Sequence, residues 1–104
     1  MMFLIAALLL TASPEAAPAP APPSGRIAAL LAKSDGSTRA AAIKVRSVDE
    51  EYRILAALGL RPKSQALISD AGGTYDLLTA TDPRTGAERQ LWFDISSFFG
   101  HEFD

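Results

Sequence analysis

Five prolines, Pro14, Pro18, Pro20, Pro22 and Pro23, fall within ten residues of Ala-rich sequence. Proline fixes φ and removes a backbone donor, so no helix or strand ladder can run through this stretch, and extended polyproline II is expected. The chain therefore divides into a signal peptide over residues 1–12, a Pro/Ala-rich disordered linker over 13–24 and a small domain over 25–104. Residues 1–10 form an uncharged apolar run, about half the roughly 20 residues needed for a stable membrane span. That length suits a secretory signal core, although no basic side chain precedes it. Ser13, Ala17, Ala19 and Ala21 are each followed by proline, which leaves Ala12 as the cleavage position. The expected location is periplasmic or secreted.

About 80 residues remain, and a chain of that size buries only about 60% of its unfolded surface. A deep ligand pocket would remove packing that so small a core can hardly lose, so a surface or an edge is the expected working part. Ten Lys and Arg against 12 Asp and Glu give a formal charge of -2. No field exists to gather polyanions, which argues against nucleic-acid binding. Zero cysteines exclude disulfides, thiolate metal sites and a cysteine nucleophile.

Residues 26–33 predict a short helix that needs docking to persist, stopped by Ser34-Asp35-Gly36-Ser37. Ile43 and Val45 alternate with Lys44 and Arg46 as a short strand. Ser47-Val48-Asp49-Glu50 matches the Ser-x-x-Glu capping box and starts a helix at Val48. Val48, Tyr52, Leu55 and Leu58 share one side of it, while Asp49, Arg53 and Ala57 share the other. Gly59 supplies the left-handed stop, Leu60 folds back on Leu55, and Arg61-Pro62 prevents continuation.

Beyond Pro62 the apolar period changes from 3.6 to 2. Residues 65–69, 74–81 and 87–95 predict three strands, separated by Asp70-Ala71-Gly72-Gly73 and Asp82-Pro83-Arg84-Thr85-Gly86, and such short loops imply an antiparallel meander. The fold class is α+β: one capped helix packed on a small antiparallel sheet, with one further short strand and a short N-terminal helix. Pairing Ser69 with Thr74 and Thr81 with Ala87 puts Ala66, Ile68, Tyr75, Leu77, Thr79, Leu91, Phe93 and Ile95 on the core face. Leu67, Asp76, Leu78, Ala80, Gln90 and Trp92 then share the outer face, which is more apolar than a solvated sheet face usually is. Either the first helix or the aromatic tail covers it, or it is a patch around Trp92 that meets a partner or a second copy.

Chemistry-bearing sets are sparse. His101 is the single imidazole. With Glu102 and Asp104 it lies at a chain end without a rigid frame, so no metal site or cofactor is expected. Asp76 and Asp94 in neighbouring strands are the one candidate carboxylate pair, at a diagonal spacing of roughly 7–8 Å, and define a hydrolase alternative with His101. Ala71-Gly72-Gly73 lacks the Lys-Ser/Thr of a phosphate loop and is a hairpin turn. Trp92, Phe93, Phe98, Phe99 and Phe103 gather most aromatic residues into the last 13 positions, either closing the core or forming a docking strip.

The blocks Asp35-Gly36-Ser37, Ala42-Ile43-Lys44-Val45, Val48-Asp49-Glu50-Glu51-Tyr52, Lys63-Ser64-Gln65-Ala66-Leu67, Tyr75-Asp76-Leu77, and Trp92-Phe93-Asp94-Ile95 with Phe98-Phe99-Gly100 together resemble an uncharacterised family of small exported bacterial proteins, a domain of unknown function. The resemblance spans about residues 34–103. It implies export, small size and a one-helix, sheet-containing domain, and supplies no catalytic residue. The expected function is a non-enzymatic protein-binding or accessory module of the bacterial envelope, engaging an envelope protein through Trp92, Leu67, Leu78, Asp76, Phe98 and Phe99. The alternatives are the small hydrolase and a purely structural homodimer formed through the same face.

Overall fold

The computed structural model describes residues 24–100. Within them the order is α1 (Gly25–Lys33), β1 (Ile43–Lys44), α2 (Val48–Leu58), β2 (Arg61–Asp70), β3 (Gly73–Thr81) and β4 (Glu88–Asp94). The expected leader, the linker up to Pro23, and His101 lie outside the described residues. The architecture is α+β, two helices on a four-stranded sheet ordered β1-β4-β3-β2.

Local chemistry sets the helix ends. Ser24, at the expected end of the linker, belongs to the fold: its hydroxyl accepts the Ile27 N–H and caps α1. Ser47 caps α2 by accepting the Glu50 N–H, and Asp49, Glu50 and Glu51 place negative charge at the positive end of the dipole. At the other end Gly59 adopts φ 73°, a left-handed conformation that would strain a β-carbon. Its N–H reaches Ala56, and the Leu60 N–H reaches Leu55, completing the stop expected from the sequence.

The inward side of α2 is rotated from the expected one. Glu50, Glu51, Ile54 and Leu55 are buried, whereas Val48 and Tyr52 are exposed. Two polar anchors set the rotation. Glu50 accepts the Arg46 N–H at 2.7 Å and pairs with the Arg26 guanidinium of α1, while Glu51 points toward β3. An apolar count alone cannot see an inward stripe that begins with two carboxyls.

β2, β3 and β4 form the expected antiparallel meander. The sheet as a whole is mixed, because β1 runs parallel to β4 with Ile43 opposite Phe93. A parallel partner requires a long connection, and α2 with two strands separates β1 from β4. Ser69 faces Thr74 as expected. Thr81, however, faces Glu88 and not Ala87. Ala87 is still inside the turn: its carbonyl accepts the Asp82 N–H at 2.8 Å and its own N–H donates to Thr85 Oγ1 at 3.1 Å. The turn is thus one residue longer than the sequence pattern suggests, and a shift of one residue exchanges the faces of a strand.

Consequently Asp76, Leu78 and Ala80 of β3 join Leu91, Phe93 and Ile95 on the covered face. Tyr75, Leu77 and Thr79 lie with Trp92 on the other. Ala66 and Ile68, opposite Leu77 and Tyr75, go with them and leave the expected core. The core unites Ile27, Ile43, Val45, Ile54, Leu55, Leu60, Leu78, Ala80, Leu91, Phe93 and Ile95, with Phe98 packed against it. Both helices therefore lie on one side of the sheet. The described part of the tail turns at Ile95, where Phe98 and Phe99 N–H groups donate to its carbonyl, and Phe98 closes the core edge.

Candidate functional site

The side of the sheet away from the helices carries the candidate surface. Trp92 stands opposite Leu77, Leu77 opposite Ala66, and Tyr75 opposite Ile68, so one apolar patch crosses β4, β3 and β2. The Tyr75 and Trp92 rings meet edge to face, with centroids 6.1 Å apart and planes at 78°. Trp92 is held at the border of the patch by its own N–H, which donates to Gly36 at 2.7 Å. Gly36 sits at φ 70°, and a β-carbon there would lie 3.2 Å from the Trp92 carbonyl oxygen, so the loop between α1 and β1 can run this close only with glycine.

From that loop Arg39 places its guanidinium 4.7 Å above the Tyr75 ring and pairs with Asp70 at the β2–β3 turn. The hydrogen bond from Arg39, aided by the Gly72 N–H, holds the Asp70 carboxyl below the usual carboxylate range. Lys63 pairs with Glu88 at the far side of the same face. The result is an apolar centre bordered by two ion pairs. All of its members are half-buried except Ala66, which is exposed.

The residues expected to share Trp92's face are distributed differently. Leu78 and Asp76 lie beneath the helices, and Leu67, opposite Asp76, is on the helix side of β2 but 53% exposed. Phe98 belongs to the core margin, while Phe99 is exposed beyond it. Trp92 keeps its expected place on the outer face, with different neighbours.

The Asp76–Asp94 pair of the hydrolase alternative is not formed. Asp76 faces the helices, whereas Asp94, opposite Tyr75, is on the open face and accepts the Ser96 N–H at 2.9 Å. Asp76 instead meets Glu51 of α2, a contact that sequence reasoning missed. Burial, followed by the hydrogen bond and charge of Asp76, raises the Glu51 carboxyl to about 9. Glu51 therefore keeps its proton at neutral pH. Gln65 Nε2 approaches Asp76 Oδ1 at 3.5 Å, and Glu51 Oε2 is buried without a hydrogen-bond partner. The available signal was positional: Glu51 is three and four residues before Ile54 and Leu55, on their side of the helix.

The cleft at the start of α2, about 340 Å³, is lined by Arg26, Arg46 and Arg53, but each faces Glu50 or Asp49. No group of three or more His, Asp or Glu with metal-holding geometry occurs among the described residues. No helix among the described residues is long and apolar enough to cross a membrane.

A small α+β domain with one covered and one open sheet face is the class that fold and surface define. The family model described as "Domain of unknown function (DUF4919)" matches residues 4–102, and the chain belongs to that family. No curated protein and no solved structure matches it.

Proposed function

We propose that this chain is an exported, non-enzymatic accessory module of the bacterial envelope, which binds a folded protein on the open face of its sheet. The carrying observation is the Ala66, Ile68, Tyr75, Leu77 and Trp92 patch on the side of the sheet away from the core that α1 and α2 cover. An aromatic and aliphatic centre with Arg39–Asp70 and Lys63–Glu88 at its border has the composition of a protein interface, including the aromatic and arginine residues that dominate binding energy. A broad sheet face favours a protein occupant over a small molecule, which needs a concave site. Export rests on the uncharged apolar residues 1–10, and the proline-rich stretch that follows serves as a spacer between them and the domain.

The test is affinity capture with the full chain from an envelope extract of its native source. A specific partner enriched by the wild type should fall at least about tenfold with Trp92→Ala, as removal of a central aromatic anchor implies. Leu67→Lys, on the other side of the sheet, should retain it. Equal capture by the wild type and Trp92→Ala overturns the reading.

A further inference from the structure

β2 is a ten-residue strand at the end of the sheet, with β3 as its one strand neighbour among the described residues. Nine of its ten residues are exposed, and such an edge presents unpaired backbone groups as a template for another strand. Natural edges are protected by proline, charge and bulges. Here Pro62, Lys63 and the bulge between Pro62 and Ser64 are confined to the first third. Gln65-Ala66-Leu67-Ile68-Ser69 carries none of these devices.

The helix layer adds a second observation. Glu50 directs one flank of α2 toward Arg26 of α1, and α1 packs over the β1 side of the sheet. Val48 and Tyr52 project from the opposite flank, which by helix geometry is the side of β2. Three of the four large apolar side chains most exposed among the described residues, Val48, Tyr52 and Leu67, thus line one border of the domain. Leu67 is at the middle of the unprotected segment.

We propose that two copies of this chain associate through β2, antiparallel about a two-fold axis at Ala66 or Leu67, to form one continuous eight-stranded sheet. The strand is self-complementary in charge. Lys63 lies toward one end and Asp70 at the other, and antiparallel pairing brings the basic end of each copy to the acidic end of its partner. Their present pairs with Glu88 and Arg39 are exposed and can share charge across the axis at little cost. The axis puts both helix layers on one side, so Val48, Tyr52 and Leu67 from each copy are covered together. Both open faces lie on the other side, leaving the Trp92 surfaces free and adjacent. This inference uses a different edge and does not depend on the proposed partner.

Sedimentation equilibrium of the full chain, up to about 1 mM, tests it across the weak range of specific association. The expected mass is twice that of one chain for the wild type and Trp92→Ala, and that of one chain for Leu67→Lys. Because Leu67 is exposed in the single chain, the lysine variant should keep its circular dichroism, and its unfolding temperature should match that of the wild type in solutions dilute enough for both to be single chains. The absence of native cysteine allows a second test with a short bis-maleimide. Leu67→Cys should cross-link to its copy, since the two positions lie within about 7 Å along the strands. Asp70→Cys should not, being displaced by about 20–26 Å. A wild type of single-chain mass, a dimer surviving Leu67→Lys, loss of the dimer in Trp92→Ala, or equal cross-linking at both positions overturns the inference.

Discussion

Phe93 and Trp92 are neighbours in β4, yet one is fully buried among the helices and the other borders an open surface. The same contrast separates Leu78 from Leu77 in β3. Both faces of this sheet are apolar, so hydrophobicity does not decide which becomes the core. The decision comes from what packs on each: α1 and α2 cover one face through Ile27, Ile54 and Leu55, while a loop arginine reaches over the other. A face left apolar with no helix among the described residues to cover it is where external packing is to be sought.

The contrast breaks first under truncation of the two adjacent aromatic residues. Phe93→Ala leaves a cavity at the centre of the core and should cost about 3–5 kcal/mol, a large part of the stability of a domain this size. Trp92→Ala should cost less than half as much, because part of its surface is already in solvent. Urea unfolding followed by circular dichroism compares them, and an equal loss would mean that both faces are core.

A pH series sharpens the contrast, because only the covered face hides a carboxyl that keeps its proton. The Glu51 pKa is raised from an ordinary value near 4.5 to about 9, so between those values the folded chain binds the extra proton. Its contribution is fully present below the unfolded pKa and declines as pH rises through the folded one, by up to about 1.4 kcal/mol per pH unit. Glu50 works in the opposite sense. The hydrogen bond from Arg26 lowers its pKa, so its contribution is lost as pH falls through the folded value. Glu51→Gln should flatten the alkaline decline and leave the acid limb in place, as read from unfolding midpoints between about pH 2 and 9. An unchanged alkaline slope in Glu51→Gln would place its origin elsewhere.

Much of the local structure was legible in the sequence because its signals are short-range. Ser47, Gly59 and Pro62 bracket α2 through hydrogen bonds and steric limits acting within one helical turn. The β2–β3 pairing was legible for the same reason, since Asp70 and Gly73 confine the hairpin to a two-residue turn. What failed began with one turn residue and had non-local consequences. Retaining Ala87 in the β3–β4 turn changed the register by one residue, and that exchanged Asp76, Leu78 and Ala80 with Tyr75, Leu77 and Thr79 across the sheet. The proposed surface kept Trp92 but lost Leu78 and Asp76 to the core, and gained Tyr75, Leu77, Ala66 and Ile68. Glu51 was invisible for a related reason: its partner, Asp76, is 25 positions away, and only the correct register brings the two together.

The chain has one tryptophan, and it lies in the proposed docking surface. Acrylamide quenching of its fluorescence, in the free chain and in complex with the captured partner, is therefore the most direct measurement. The expected result is an indole that the quencher reaches in the free chain and that becomes protected in the complex. Equal quenching in the two states, or an indole already inaccessible in the free chain, would contradict docking on the Trp92 face.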